Sequence, residues 1–245
     1  MDQQTKAALK QDKFVSTTTQ GIEWAEEHRR SMIVNGAIIL AVILVVVIGA
    51  VVYNNRSDAA SVAFGAAMQE YQTPLAQPDQ PTAPGAKTYA SIAERAKASG
   101  ALFQAVADKY GFTPDGQNAR YFVGLTYLEA GQNQQAEDTL KKVAGGWDGE
   151  LAGLAKFALA QLYRNTGRDA QAIDLYNQIV KKPTSTTPAE LAQLQLADVY
   201  QSEGKTDDAN KIYAKLKQDD AKGAAGMIAT QKLNPSAGEQ AAQAQ

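Results

Sequence analysis

Tyr127, Tyr163 and Tyr200 stand 36 and 37 residues apart, and two further columns keep the same intervals. Four residues after each tyrosine comes a glycine, Gly131, Gly167 or Gly204, and nine after it an alanine, Ala136, Ala172 or Ala209. A large residue follows four positions later, Leu140, Tyr176 or Tyr213. Self-similarity at such a period marks a stack of helical hairpins, each burying its apolar face only against its neighbours. Every column has a physical reason. The glycine lets one helix end in a left-handed conformation without a Cβ clash. The alanine lets the two helices of a hairpin approach closely, and the large residue fills the layer between adjacent hairpins.

The pattern resembles the tetratricopeptide repeat, whose unit sets Trp, Leu-Gly, Tyr, Ala, Phe, Ala and Pro at fixed offsets over about 34 residues. Its Leu-Gly, Tyr, Ala and Phe columns are met by Val123-Gly124, Tyr127, Ala136 and Leu140 in the first segment. Leu159-Ala160, Tyr163, Ala172 and Tyr176 meet them in the second, and Leu196-Ala197, Tyr200, Ala209 and Tyr213 in the third. Arg120, Lys156 and Gln193 replace the leading Trp, and the connecting loops, Gly145 to Gly149 and Lys181 to Pro188, are slightly longer than the family's. A fourth unit is expected upstream, because Phe103 stands 17 residues before Arg120 as Tyr176 does before Gln193. Its first helix would be Ala59 to Tyr71, separated from Phe103 by Thr73 to Gly85, a four-proline surface insertion. Downstream, Asp220 to Leu233 predicts a capping helix whose Met227, Ile228 and Leu233 cover the last hairpin.

Ahead of the repeats, no charged side chain occurs from Ser31 to Asn55, and Ile38 to Val52 is Ile, Leu, Val, Ala and Gly throughout. A spanning helix needs about 20 apolar residues to cross roughly 30 Å of hydrocarbon, and Met32 to Tyr53 supplies that length. A cleaved signal peptide is the rival, since Ala59-Ala60-Ser61 and Gly65-Ala66-Ala67 offer small residues beyond the run. Against it, the thirty preceding residues are hydrophilic with five acids, and the run exceeds the usual apolar core of about 7 to 15 residues. The segment is therefore read as an uncleaved anchor. Arg29 and Arg30 precede it and Arg56 alone follows closely, which places the N-terminus in the cytoplasm and the repeats outside it. Trp24 and Tyr53 lie toward the two interfaces, and Trp24 equally suits the cap of a short surface helix.

The sequence offers little that would carry catalytic or cofactor chemistry. The single histidine, His28, lies beside the apolar run, away from the repeats, so no His-dependent hydrolase or zinc site is expected there. Gly85-Ala86-Lys87-Thr88 lacks the Gly-Lys pair and the strand of a phosphate loop. Asp115-Gly116 and Asp148-Gly149 read as turn dipeptides between helices rather than calcium loops. Asn55-Arg56-Ser57 matches a glycosylation sequon, but it abuts the expected membrane segment and reads as a chance match. The chain has no cysteine, and its net charge of −2 gives no basic field for phosphates. No enzyme activity, cofactor, metal or nucleic-acid partner is expected.

The reading is an all-α chain: a tail over 1–30, a transmembrane helix over 31–54, a tetratricopeptide-like solenoid over 55–235 and a disordered tail over 236–245. Within the solenoid, 73–86 is the Pro-rich insertion, and repeats fall near 118–143, 154–180 and 191–217. In such stacks the first helices line a binding groove. Its free positions would be Tyr121, Leu125 and Glu129, then Phe157, Gln161, Arg164 and Asn165, then Leu194, Asp198 and Gln201. Tyr121, Phe157 and Leu194 would pack as core if a neighbouring helix covers them. The architecture, the Trp24 to Arg30 approach and the Ala63-Phe64 to Tyr71 helix are similar to YfgM-type proteins, ancillary subunits of the bacterial Sec translocon. That resemblance implies an inner-membrane scaffold with a periplasmic repeat domain and a chaperone-like role. Its partners would be translocon subunits, periplasmic chaperones or exported polypeptides, with self-association left open. The alternative is an organiser of cell-envelope assembly.

Overall fold

The computed structural model describes residues 28–76, 85 and 87–234. The expected tail with Trp24, the middle of the Pro-rich insertion and the tail beyond residue 235 lie outside the described residues. Those described are almost entirely helical. In chain order the helices are α1 (Arg29–Tyr71), α2 (Ile92–Tyr110), α3 (Pro114–Glu129), α4 (Asn133–Ala144) and α5 (Gly149–Asn165). They continue with α6 (Asp169–Lys181), α7 (Ala189–Ser202), α8 (Thr206–Asp219) and α9 (Ala224–Leu233). The chain divides into two compact units, Met1–Asn55 and Arg56–Gln245.

The first unit holds the apolar part of α1. Its most apolar stretch has a mean hydropathy of 3.0 and none of it is buried. Every large apolar side chain from Met32 to Tyr53 is exposed. This helix is long and apolar enough to cross a membrane.

The second unit is a tetratricopeptide-like solenoid of antiparallel hairpins, in which each helix packs on the next from α2 to α9. The tyrosine-to-glycine spacing has a hydrogen-bond explanation. Gly131, Gly167 and Gly204 have φ of 73°, 71° and 76°. Just beyond them, the N–H of Gln132, Arg168 and Lys205 donates to the carbonyl of Tyr127, Tyr163 and Tyr200 at 2.7 to 2.8 Å. The glycine N–H groups bond Leu128, Arg164 and Gln201, completing a Schellman closure three times over. A helix therefore ends, and its partner begins, at a fixed distance from the tyrosine. Ala136, Ala172 and Ala209 are all 0% exposed, as close helix approach requires, and Leu140, Tyr176 and Tyr213 fill the layers beside them.

The upstream unit follows the same plan. Phe103 on α2 is fully buried and stacks on Phe122 of α3 at 5.0 Å, with Phe64 of α1 against both. Ser99 takes the small-residue position four before Phe103, and its hydroxyl donates to the Arg95 carbonyl at 2.8 Å, so its burial leaves no unbonded donor. The described ends of the insertion are pinned by a parallel bridge between Leu75 and Tyr89.

Two expectations are corrected. Met227 and Ile228 do not cover the last hairpin: they are 60% and 42% exposed, while Ala225, Gly226 and Ala229 face inward. The reason is proximity, since a Cβ on Gly226 would lie 2.0 Å from the Asp220 carbonyl oxygen. The Asp-Gly pairs are helix starts rather than free turns. Asp148 caps α5 by accepting from Glu150 and Leu151 N–H, and Asp115 lies in the first turn of α3 behind its cap, Thr113.

Candidate protein-binding face

The first helices α3, α5 and α7 carry the ten positions expected to face a partner. Tyr121 and Leu125 on α3 and Phe157 on α5 are half-buried, each with one side against the central core around Leu140, Leu159 and Tyr176. Phe157 meets the Tyr176 ring edge-on at 5.8 Å. Leu194 goes further inward. It is 8% exposed and packs with Ala197, Tyr213 and Leu216, so it belongs to the core of the last hairpin rather than to an open surface.

The polar positions divide by what already bonds them. Glu129 accepts from the Tyr71 hydroxyl and lies 3.8 Å from Arg95, whose guanidinium also sits over the Tyr71 ring. Asp198 accepts from the Tyr213 hydroxyl at 2.6 Å and from Lys232 of α9 at 2.9 Å. Burial pushes the Asp198 carboxyl up, but these two donors outweigh it and hold it below the ordinary range. Gln201 accepts a longer bond from the same Tyr213 hydroxyl at 3.3 Å. Arg164 reaches across to the next first helix, donating to Gln195 at 3.3 Å. Gln161 and Asn165 are exposed, and their side-chain amides make no hydrogen bond within the chain. The face is thus a half-buried apolar row with exposed amides beside it on α5, flanked by acids committed to neighbouring helices.

Sequence spacing did not reveal the group that joins successive hairpins. Glu137 on α4 is 7% exposed and accepts from Lys141 at 2.7 Å, Arg168 at 2.7 Å and the Tyr163 hydroxyl at 3.0 Å. The Arg168 guanidinium lies 4.3 Å from the Tyr163 ring centre. A hydrophilic residue directly after the alanine column gave no hint of this. The usable signal was the arginine following Gly167, a cation held by the helix ending toward the preceding unit. A second clasp holds the longer α6–α7 loop: Glu150 accepts from the N–H groups of Ser185 and Thr186 and from the Thr186 hydroxyl. Those bonds, led by the Thr186 backbone, hold the Glu150 carboxyl down to about 2.

Among the described residues, no group of three or more His, Asp or Glu is placed to hold a metal ion. Lys87, from the sequence that faintly resembled a phosphate loop, is ion-paired to Glu70 at 2.6 Å.

A family model described as a tetratricopeptide repeat-like domain matches residues 31–235. Solved structures with the same fold include a chain described as a kinesin light chain with nearly identical TPR-like repeats, from Podosopora anserina. It is 18% identical with a TM-score of 0.53, and the match covers 73% of this chain and 84% of that one. A variant of it matches over the same shares at 17% identity, also with a TM-score of 0.53. At such identities the likeness concerns the fold alone. A search of curated proteins returns no match.

Proposed function

We propose that this chain, which belongs to the tetratricopeptide repeat-like domain family, is a membrane-anchored scaffold that holds other proteins on the first-helix face of its repeats. The observation that carries this reading is the α5 face, where half-buried Phe157 lies on the same helix as exposed Gln161 and Asn165, whose side-chain amides bond nothing in the chain. Apolar contact area beside uncommitted hydrogen-bonding groups is what a protein-binding surface requires. Tyr121 and Leu125 would extend the surface along α3, and Arg164, Asp198 and Gln201 would set its polar border.

The finer reading places residues 31–54 across the inner membrane, 1–30 in the cytoplasm and the repeat domain, 55–235, in the periplasm. The arginines before the apolar run support this orientation. Its partners are translocon subunits, periplasmic chaperones or exported polypeptides, supported by the YfgM-like arrangement of one anchor followed by Ala-rich repeats. A photoreactive residue at Gln161, with Asp174 on the exposed side of α6 as control, tests it in cells. Capture of translocon subunits, chaperones or exported chains from position 161 alone is expected. Capture of wall-synthesis enzymes would transfer the chain to envelope assembly, and equal capture at both positions would remove the face from the account.

A further inference from the structure

Three departures from the repeat pattern meet at one cavity. Lys156 on α5 stands where the pattern sets its leading Trp, and the loops Gly145 to Gly149 and Lys181 to Pro188 are the two that run long. The cavity measures about 140 Å³ and is lined by Lys156, by Gly146 and Trp147 of the first loop, and by Lys182 and Thr184 of the second. One water needs only ~10–15 Å³, so the space admits a side chain. A lysine fills less of it than an indole would. The walls are fixed in advance. Glu150 clasps the second loop, accepting from Ser185 and Thr186 N–H at 3.2 and 3.0 Å, and the loop lies so close to α5 that a Cβ on Gly153 would collide with Thr187 Oγ1.

The donors at this cavity are uncommitted. The side chains of Lys156, Lys182, Gln178 and Trp147 all line it, and none makes a hydrogen bond or ion pair within the chain. No carboxylate lines it. The acids adjacent in sequence are engaged elsewhere, Asp148 in capping α5 and Glu150 on the loop backbone. Two free ammonium groups beside an amide and an indole N–H call for an anion. The rest of the lining selects which kind. Ala144, Ala152 and Ile179 suit the methylene stem of a glutamate, whereas a phosphate turns oxygens in every direction and would leave some unbonded against them. Trp147 is 82% exposed, so its ring stands open beside the cavity for the residues that flank such a glutamate.

We propose that this cavity takes a glutamate side chain from an acidic segment of a partner protein, its carboxylate bonded by Lys156 and Lys182 and the adjoining segment packed on Trp147. None of the ten first-helix face positions lines the cavity, so this second site stands or falls apart from that face.

Trp24→Phe leaves Trp147 as the only tryptophan, and its emission then reports on the site. The full-length Trp24→Phe chain in dodecyl maltoside is titrated with acetyl-Ala-Glu-Ala-Glu-Ala-amide, with the same peptide carrying glutamine for glutamate, and with inorganic phosphate. The expected result is a saturable shift of Trp147 emission to shorter wavelength with the glutamate peptide. Lys156→Met with Lys182→Gln should weaken that binding roughly tenfold or more, as loss of charged hydrogen bonds implies, and Lys182→Gln alone, at an exposed position, should weaken it in the same direction. Equal responses to the glutamate and glutamine peptides, or an unchanged titration in the lysine variants, overturn the proposal. Phosphate binding as tight as the glutamate peptide overturns it in favour of a small-anion site.

Discussion

Replacing Glu137 with glutamine tests whether hairpins are coupled through one buried charge. In the native chain Lys141 contributes most to holding the carboxyl down, Arg168 and Tyr163 add to it, and together they outweigh burial. The carboxyl titrates at about 2 rather than the ordinary 4.5. At about 1.4 kcal/mol per pH unit this caps the contribution at ~3 kcal/mol. Lys141 is 54% exposed and Arg168 36%, so water screens both partners. A realised value of ~1–2 kcal/mol follows. Because the folded value lies below the unfolded one, this stability is fully present above pH 4.5 and is lost as pH falls through about 2. Glu137→Gln keeps the shape and one acceptor oxygen but removes the charge. Urea unfolding of the full chain in detergent, followed by circular dichroism, should show the variant weaker by that amount at neutral pH, with the gap narrowing in acid. The transition should also broaden, because nearest-neighbour coupling between repeats is what sharpens it. A gap of equal size at neutral and acidic pH would refute the charge argument, and no gap at all would refute the coupling.

Two tyrosines in equivalent positions should respond differently to loss of the hydroxyl. The Tyr176 hydroxyl is buried with no bonding partner, and burial pushes it up to about 12, whereas Tyr213 bonds Asp198 and Gln201. Thermal unfolding should show Tyr176→Phe neutral or stabilised by ~1 kcal/mol and Tyr213→Phe destabilised by ~1–2 kcal/mol. Gly167→Ala should cost ~1–2 kcal/mol from backbone conformation alone, since φ is 71° and a Cβ there would touch nothing within 4 Å. Gly124→Ala acts differently, setting a Cβ 2.6 Å from Leu140 Cδ2, and should cost ~1–3 kcal/mol by overpacking. Equal losses for Gly167→Ala and an uncrowded mid-helix glycine would contradict the first of these, and an unshifted midpoint for Gly124→Ala the second.

Much of the fold was legible because its columns encode backbone events. A glycine four residues after a tyrosine is the sequence image of a Schellman closure, and alanine or serine beside a large residue is that of a close helix crossing. The face was harder to read. Helical spacing gives direction to within a few tens of degrees, which separates Gln161 from Leu159 but does not decide Leu194, a leucine at the boundary whose neighbours Tyr213 and Leu216 close over it. On α9, apolar and small residues alternate around the helix, and burial was decided by the approach of Gly226 to Asp220, which leaves no trace in hydropathy. The Glu137 cluster was hidden for another reason. Its members come from α4, α5 and the turn after α5, and only the packing of hairpins brings them together.

The binding claim is tested most directly by substitution on α5. Gln161→Arg with Asn165→Arg alters two exposed, unbonded positions and should leave the unfolding midpoint unchanged. Partners that co-purify with the wild-type chain from detergent-solubilised membranes should be lost from this variant and kept by Asp174→Arg. An unchanged set of partners on the double variant would contradict a first-helix binding face.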